Sequence, residues 1–323
     1  MPGDQGQPGR LRVIYLGGLG RSGTTLIERL LAELPAVCAA GETVHLWRRC
    51  VARGERCGCG VPFHDCAFWR RVGQDAFGGW HRVDVERVAA LRNMVDRSRR
   101  LPLLLAPALR PGFRASLRDY LSYYLRLYAA VSRVSGCQAV IDSSKHASLA
   151  FCLRSCPEVD LRVVHVVRDS RAVAFSWTKQ VTRPDTPAVS FMMTYPPRTA
   201  AAQWILQNGA LQLLAASGVP TLRMRYEDVV AEPARALAGI AAFAGLPAGG
   251  DALAFLGSGA DGHWAELGPA HTASGNPIRF VTGRLPIRED RLWRGAMPPA
   301  QRRAVTALTL PLLARYGYPL GQA

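Results

Sequence analysis

A predicted strand, a glycine-rich loop and a predicted helix open the chain, and no other feature constrains the fold as strongly. Residues 11–16 (LRVIYL) form a mostly apolar run, which is typical of a strand buried on both faces. The loop GGLGRSGTT occupies residues 17–25, and the apolar side chains of residues 26–34 then recur on one helical face until Pro35. A strand, a loop and a helix in this order predict the first βα unit of a parallel sheet.

Further apolar runs predict more strands of the same sheet. They cover residues 139–142, 161–167 and 221–226, and the pattern predicts helices near 199–216 and 299–316. This alternation predicts an α/β protein with a P-loop-like, three-layer fold, in which helices flank a central parallel sheet.

A single domain over residues 1–323 is the predicted organisation, because this length fits one α/β domain with insertions. Residues 46–135 are Arg-rich and mostly helical in pattern, with a Cys-bearing loop at 50–66, and are predicted to form an insertion. The Pro-rich residues 184–198, with their aromatic and Met side chains, predict a substrate lid. The Gly/Pro-rich residues 257–289 predict a loop that covers a cofactor.

Composition and charge exclude several classes of protein. With 49% hydrophobic and 20% charged residues, the chain can build a core and is not disordered. The net charge of +16 comes from 40 basic and 24 acidic residues, but 38 of the basic residues are Arg spread over most of the chain. That spread argues against a nucleic-acid-binding protein. The exceptions are Lys145 and Lys179. A chain that uses Arg almost everywhere is expected to keep Lys where a compact ammonium does something that a planar guanidinium cannot.

The location in the cell is predicted from what the sequence lacks. The first ten residues are polar, so no signal peptide is expected. No apolar run approaches the ~20 residues of a membrane span. Eight Cys are too few for a disulfide scaffold of this size. We therefore expect a cytoplasmic protein.

The loop at residues 18–25 has the spacing of a phosphate-binding loop, G-x4-G-K-[ST], with one change. Thr24 stands where the nucleotide-triphosphatase motif has Lys. Backbone amides and the helix N-terminus can still cradle an anion, and Arg21 can supply charge. Without the Lys, the magnesium-dependent chemistry of a kinase is poorly served.

A second anion site is predicted at the end of the strand over 161–167. Arg168 follows this strand, and ligands of open α/β sheets bind at the carboxyl ends of strands. Ser176 lies eight residues further on, in the predicted helix. A guanidinium and a hydroxyl group can together hold a second phosphate.

These two motifs resemble those of the sulfotransferases that use 3′-phosphoadenosine 5′-phosphosulfate (PAPS). The loop GLGRSGTT is similar to their 5′-phosphosulfate loop, and VVRDSRAVAFS is similar to their 3′-phosphate motif. The resemblance is greatest to bacterial sulfotransferases, with a likeness to tyrosylprotein sulfotransferases over residues 21–42. It implies PAPS as the co-substrate and no required metal.

The resemblance also implies roles for individual residues. Glu42 matches the glutamate that serves the tyrosylprotein enzymes as general base, after a one-residue adjustment at Gly41, and His45 is the competing base. Lys145 resembles the lysine that stabilises charge in the reaction. The residues implied to bind the co-substrate are Arg21, Ser22, Gly23, Thr24, Thr25, Arg168, Ser176, Tyr226, Ser274, Asn276 and Arg279.

A group of cysteines in the predicted insertion has a possible metal-binding pattern. Cys50, Cys57, Cys59 and Cys66, with His45 and His64 nearby, contain the types of side chain that bind zinc. The spacing C-x6-C-x-C-x6-C lacks the paired C-x2-C of common zinc knuckles. Free thiols or a labile disulfide are therefore favoured, and no metal site is predicted.

The predicted function is transfer of a sulfuryl group from PAPS to a hydroxyl of a small molecule, lipid or glycan, with a carboxylate as general base. A P-loop kinase-like enzyme is the alternative within enzymes, and a basic nucleic-acid-binding protein is the alternative outside them. Neither the acceptor nor the oligomeric state can be read from the residues.

Overall fold

A five-stranded parallel sheet forms the centre of the protein. The structure, a computed structural model, describes residues 9–106, 110–186, 190–247, 250–260 and 262–320. The strands lie in the order β2-β3-β1-β4-β5, and each neighbouring pair is parallel. They are β1 (Leu11–Gly17), β2 (Val37–Gly41), β3 (Ala139–Lys145), β4 (Val159–Val167) and β5 (Thr221–Arg225).

Helices cover both faces of this sheet. Those among the described residues are α1 (Thr24–Leu31), α2 (Thr43–His45), α3 (Ala67–Phe77), α4 (Val85–Val95), α5 (Leu101–Leu105), α6 (Pro111–Ser135), α7 (Ala147–Arg154), α8 (Ser170–Thr178), α9 (Pro197–Ala216), α10 (Tyr226–Ala231), α11 (Pro233–Ala244), α12 (Trp293–Ala296) and α13 (Pro299–Arg315). No described helix is both long and apolar enough to cross a membrane.

Alternation along β1 divides the core into two layers. Val13 and Tyr15 pack on the side of the helical insertion, in a cluster that includes residues of α3, α4 and α6. Ile14 and Leu16 pack on the opposite side, against α1 and α11. Successive side chains of a strand point to opposite faces, so one buried strand joins both layers. The predicted three-layer α/β fold is confirmed.

Two features of the sheets were not predicted. Strand β2 is short, and its sequence VCAAG is too poor in large β-formers to stand out. The loop predicted over 257–289 is partly a second, antiparallel sheet in the order β6-β7-β8. Its strands are β6 (Leu256–Gly259), β7 (Gly262–Leu267) and β8 (Gly283–Ile287). Glycines and prolines around these strands masked their short alternation.

Parts of the predicted segments lie outside the described residues. These are residues 107–109 of the insertion, 187–189 of the lid and 261 of the cofactor-covering loop. The described part of residues 46–135 is mainly helical. One domain over residues 1–323 stays a prediction.

The order of the strands places a crevice at the end of β1. This strand lies between β3 and β4, so the chain leaves it toward one edge of the sheet and later returns to the other. In open α/β sheets, ligands bind at such a reversal, outside the carboxyl ends of the strands. The glycine-rich loop follows β1 directly and therefore stands at this point.

Candidate active site

A cavity of about 790 Å³ lies at the carboxyl edge of the central sheet. Each of the five strands delivers a residue or loop to its wall: the glycine-rich loop after β1, Glu42 after β2, Lys145 at the end of β3, Arg168 after β4 and Tyr226 after β5. The predicted site residues that line the cavity are Arg21, Gly23, Thr24, Thr25, Glu42, His45, Lys145, Arg168, Ser176, Tyr226 and Asn276.

The glycine-rich loop is tightly packed against the end of β5. Gly23 has a φ of 85°, and a Cβ built there would lie 2.2 Å from the ring of Tyr226. Glycine is the residue that accepts both the left-handed backbone and the close approach. Ser22 is buried and does not line the cavity, and the hydroxyls of Ser22 and Thr24 have no hydrogen-bond partner.

The side chain of Arg21 lies beside the aromatic ring of Trp177. Its guanidinium carbon is 5.5 Å from the ring centroid, and its buried Nε and Nη2 have no hydrogen-bond partner. The indole Nε1 of Trp177 donates to the carbonyl of Gly20 at 2.9 Å. The residue that directly follows the second motif therefore supports the first, and the free guanidinium donors remain for an anion.

Arg168 connects the two motifs from the other side. Its Nη1 donates to the carbonyl of Arg21 at 3.0 Å, and its Nη2 donates to the carbonyl of Asp290 at 3.3 Å. The guanidinium lies 4.8 Å from the ring centroid of Tyr226, within reach of a cation–π interaction. Its Nε is buried without a partner. Ser176 lines the same cavity from α8.

Three side chains form a charged group at the ends of β2 and β3. The Nζ of Lys145 donates to the Oε1 of Glu42 and, at 3.0 Å, to the carbonyl of Ser143. The Nε2 of His45 lies 3.6 Å from the Oε2 of Glu42. The Glu42 side chain is only 14% exposed, so its charge interacts with these neighbours more strongly than in bulk water.

The protonation states of this group follow from burial and the ion pair. Burial raises the pKa of the Glu42 carboxyl, but the charge of Lys145 opposes this effect and the pKa falls to about 2. Burial lowers the pKa of His45 to about 3, against the opposing charge of Glu42. At neutral pH the site therefore contains an ionised carboxylate and a neutral imidazole.

Backbone strain is concentrated at the candidate residues. Among the described residues, the non-glycine positions with left-handed φ are Arg21 at 74°, Ala36 at 65°, Lys145 at 72° and Ser274 at 57°. Three of these four were predicted site residues. Such conformations cost about 1–3 kcal/mol each and often occur at functional sites.

The three predicted residues from the C-terminal segment are placed differently from one another. Asn276 lines the cavity, and its Oδ1 accepts a hydrogen bond from the Ile278 amide at 3.2 Å. Ser274 is buried outside the lining, where its Oγ accepts a hydrogen bond from Arg49 at 3.0 Å. Arg279 is likewise buried outside the lining.

The position of Arg279 favours a structural role. It is 1% exposed and donates to the carbonyls of Thr272 at 2.8 Å and Arg56 at 2.7 Å. It also lies 3.4 Å from a carboxylate oxygen of Asp185. These contacts join three loops.

Several residues that line the cavity were not singled out in the sequence. Gln207 of α9 donates to the carbonyl of Lys145 at 2.5 Å and supports its strained backbone. Arg183 pairs with Glu55 at 2.6 Å. In a chain with 38 Arg, no local signal distinguishes Arg183 from a surface residue. The other such lining residues are Arg49, Ser98, Ser144, His146, Gln203 and Leu206.

The described part of the predicted lid reaches the mouth of the cavity. Phe191, Met192, Met193 and Tyr195 all contribute to the lining. The ring of Tyr195 packs against that of Trp177, with the ring centroids 4.7 Å apart. This segment therefore contributes apolar side chains to the lining of the cavity.

The model of the sulfotransferase family matches residues 14–249. A solved sulfotransferase domain from the olefin synthase of Synechococcus PCC 7002 is 19% identical, covers 97% of both chains and superposes with a TM-score of 0.50, so it has the same fold. A comparison with curated proteins gives no match.

Two further solved structures are similar at lower scores. Sulfotransferase STF9 from Mycobacterium avium is 14% identical, with a TM-score of 0.44, and the match covers 97% of this chain and 78% of that one. Mouse sulfotransferase SULT7A1, solved with PAP, is 10% identical, with a TM-score of 0.41 and coverages of 94% and 85%.

Proposed function

This chain belongs to the sulfotransferase family, whose model matches residues 14–249, and we propose that it transfers the sulfuryl group of PAPS to a hydroxyl group. One observation carries the proposal. The glycine-rich loop and Arg168 follow the neighbouring strands β1 and β4, and both present cationic or unpaired donors to the same cavity as the Glu42–Lys145 pair.

The donors around the glycine-rich loop suit a ligand with several anionic oxygens. The Nε and Nη2 of Arg21, the Oγ1 of Thr24 and the Nε of Arg168, three residues that line the cavity, are buried without a partner. A buried polar group with no hydrogen bond costs about 1–3 kcal/mol, so a ligand that supplies acceptors there is favoured. Residues 21–25 would hold the 5′-phosphosulfate, and Arg168 with Ser176 would hold the 3′-phosphate.

The proposed chemistry assigns Glu42 and Lys145 separate roles. When bound, PAPS supplies a sulfuryl group attached to a phosphate leaving group. Glu42 accepts the proton of the acceptor hydroxyl as the hydroxyl oxygen bonds to sulfur and the bond from sulfur to the 5′-phosphate oxygen breaks. Lys145 stabilises the negative charge that develops on the sulfuryl oxygens and the leaving phosphate.

The ion pair between these two residues connects donor binding to base strength. A carboxylate with a pKa of about 2 is a weak base. A donor anion competes with Glu42 for the Lys145 ammonium, and a weaker pair raises the pKa of Glu42 toward that of an effective base. The carboxylate then becomes more basic when the donor is in place.

Substitution of the two candidate bases distinguishes Glu42 from His45. Glu42→Gln should keep the affinity for adenosine 3′,5′-bisphosphate (PAP) and lose about 10²–10⁴-fold in kcat. His45→Gln, the neighbouring control, should retain most of its turnover. Full activity of Glu42→Gln together with an inactive His45→Gln would transfer the role to the histidine.

Calorimetric titration with PAP tests the donor site without an acceptor. Arg168→Ala should weaken PAP binding by at least about tenfold, since it removes a cation of the proposed 3′-phosphate site. Arg235→Ala removes an exposed Arg of α11 that pairs with Glu232, and should bind PAP like the unmodified protein. If PAP does not bind at millimolar concentration while ATP does, the proposal is wrong and the kinase-like alternative gains support.

The mouth of the cavity indicates an acceptor with an apolar body beside its hydroxyl. Phe191, Met193 and Leu206 line it although they are 55%, 66% and 71% exposed. Exposed apolar groups that line one cavity are suited to cover an apolar ligand. Among acceptors with the same hydroxyl, those with larger apolar groups should have the lower KM.

Leu206→Ser tests this part of the proposal. It should raise the KM of apolar acceptors several-fold and leave PAP affinity unchanged. Leu308→Ser, on α13 outside the cavity lining and 48% exposed, is the matched control. Equal KM values for the two variants would remove the apolar mouth from acceptor recognition.

A further inference from the structure

Three cysteines of the insertion and one distant histidine meet in a compact cluster. The Sγ atoms of Cys57, Cys59 and Cys66 and a ring nitrogen of His271 all lie within 4.8 Å of one another. The Sγ atoms of Cys59 and Cys66 are 3.8 Å apart. The Nδ1 of His271 lies 3.7 Å from the Sγ of Cys57 and 3.3 Å from that of Cys66.

These separations are those of a tetrahedral metal site. Zinc binds thiolate sulfur at about 2.3 Å and imidazole nitrogen at about 2.0–2.1 Å. In a regular tetrahedron with these bond lengths, two sulfurs lie about 3.8 Å apart, and a sulfur and a nitrogen about 3.6 Å apart. The Cys59–Cys66 separation of 3.8 Å and the separations of 3.7 Å and 3.3 Å from His271 to Cys57 and Cys66 are close to these values. We propose that these four side chains bind one structural zinc ion.

The residues of this cluster differ in part from the candidate zinc ligands of the sequence. Cys50 packs in the hydrophobic core, and His45 faces the cavity beside Glu42. The Nε2 of His64 lies 3.0 Å from the carbonyl oxygen of Val51. The fourth ligand is instead His271, which lies 205 residues beyond Cys66. The sequence favours free thiols over a metal site because of the spacing of the cysteines within residues 50–66, and His271 lies outside this segment.

A disulfide accounts for the cluster less well than a metal ion. The described cysteines are all free thiols. A bond between Cys59 and Cys66 would use two sulfurs and leave Cys57 and His271 facing it without a role. Zinc uses all four groups, in the Cys3His set typical of closed structural sites. The three thiols release their protons on binding, and three thiolates with Zn²⁺ give a net charge of −1.

Surrounding contacts hold the ligands in position. The ring of Phe68 stacks on that of His271, with centroids 5.0 Å apart and planes 16° from parallel. The amide of Cys57 donates to the carbonyl of Val61 at 2.9 Å, and the amide of Gly60 donates to that of Cys57 at 2.8 Å. The loop that carries the cysteines is therefore already closed by its backbone, which reduces the cost of ordering the ligands.

The cluster joins the insertion to the segment that supports the candidate base. The amide of Gly58 donates to the carbonyl of Thr272 at 3.0 Å. The next residue, Ala273, accepts a hydrogen bond from the amide of Glu42 at 2.8 Å and donates to the carbonyl of Ala40 at 2.9 Å. A zinc ion on His271 thus anchors the backbone that pairs with Glu42.

Metal analysis of protein without a histidine tag, purified under reducing conditions, tests the proposal. Mass spectrometry of the metal content should find about one zinc ion per chain. Cys59→Ser and His271→Ala should lose most of it. The controls Cys38→Ser, also at a half-buried thiol, and His64→Ala should retain it. A metal-free protein, bound iron, or equal zinc in all four variants would overturn the proposal.

Cobalt substitution decides the question even if a variant fails to fold. Chelator-treated protein titrated with Co²⁺ should develop the intense visible bands of tetrahedral thiolate coordination, which zinc then removes. A weak octahedral spectrum, or a Cys59–Cys66 disulfide in the protein as purified, would contradict the site. None of these measurements involves PAP or sulfuryl transfer, so their failure is distinguishable from failure of the proposed function.

Discussion

Replacement of Gly23 by alanine tests the packing that shapes the proposed donor site. The added methyl group meets two obstacles. The backbone at Gly23 has a φ of 85°, and the new Cβ would lie 2.2 Å and 2.4 Å from two carbons of the Tyr226 ring. Both distances are far inside van der Waals contact, so the ring or the loop must move. Gly136, the residue directly after α6, has a similar φ of 72° and no atom within 4 Å of a built Cβ.

The comparison of these two glycines separates strain from collision. A left-handed conformation costs an L-residue about 1–2 kcal/mol, which both variants incur. Overpacking adds about 1–3 kcal/mol at Gly23 alone. Gly136→Ala should therefore lose about 1–2 kcal/mol of unfolding free energy, and Gly23→Ala about 2–5 kcal/mol. Because the displaced Tyr226 ring lies against Arg168, PAP affinity should fall at least about tenfold in Gly23→Ala only.

Urea denaturation and calorimetric titration with PAP measure the two effects. Tyr226→Ala should cost less stability in the Gly23→Ala background than in the unmodified protein, because the ring that the methyl group strikes is then absent. The contrary result is a Gly23→Ala variant that is no less stable than Gly136→Ala and binds PAP as the unmodified protein does. In that case the loop would accommodate a side chain without loss of its anion-binding form.

Three further substitutions test the buried groups around the cavity. Burial raises the pKa of Glu28 to about 7 from its usual 4.5, so stability should fall by about 3 kcal/mol as pH rises through this interval. Glu28→Gln should show a flatter dependence in urea denaturation at pH 5 and pH 8, and an unchanged slope would refute this. Lys145→Met removes the main charge that opposes the effect of burial on Glu42, so the pKa of Glu42 should rise and the acid limb of the kcat/KM profile should move to higher pH. An unmoved limb would exclude Glu42 as the titrating base. Tyr128→Phe removes a hydrogen bond to the buried Asp142 and should lower the free energy of unfolding by about 1.5–3 kcal/mol, measured by thermal or urea denaturation. A loss below about 0.5 kcal/mol would show that water or Thr43 replaces this hydrogen bond.

Local patterns in the sequence were sufficient to predict much of the central sheet. The run before the glycine-rich loop, and those before Asp142 and Arg168, are long and apolar enough to identify β1, β3 and β4. Because parallel strands place their carboxyl ends at one edge, residues that follow different strands converge without any sequence signal for contact. This explains why Arg21, Lys145 and Arg168, predicted from separate segments, line one cavity.

Other features depend on contacts that local patterns do not contain. Strand β2 has too few large side chains to identify it, and the short strands β6, β7 and β8 lie among glycines and prolines. Arg279 has the sequence context of a ligand-binding residue, yet three loops meet around its guanidinium and bury it.

By itself, the sequence determined the α/β class, the position of the glycine-rich loop and the family to which the chain belongs. These depend on the period of apolar residues and on the order of a few motifs, which are properties of neighbouring residues. The tertiary structure alone decided the pairing of Glu42 with Lys145 and the meeting of His271 with three cysteines. Both bring together residues more than 100 positions apart, and the packing of the whole chain sets those distances.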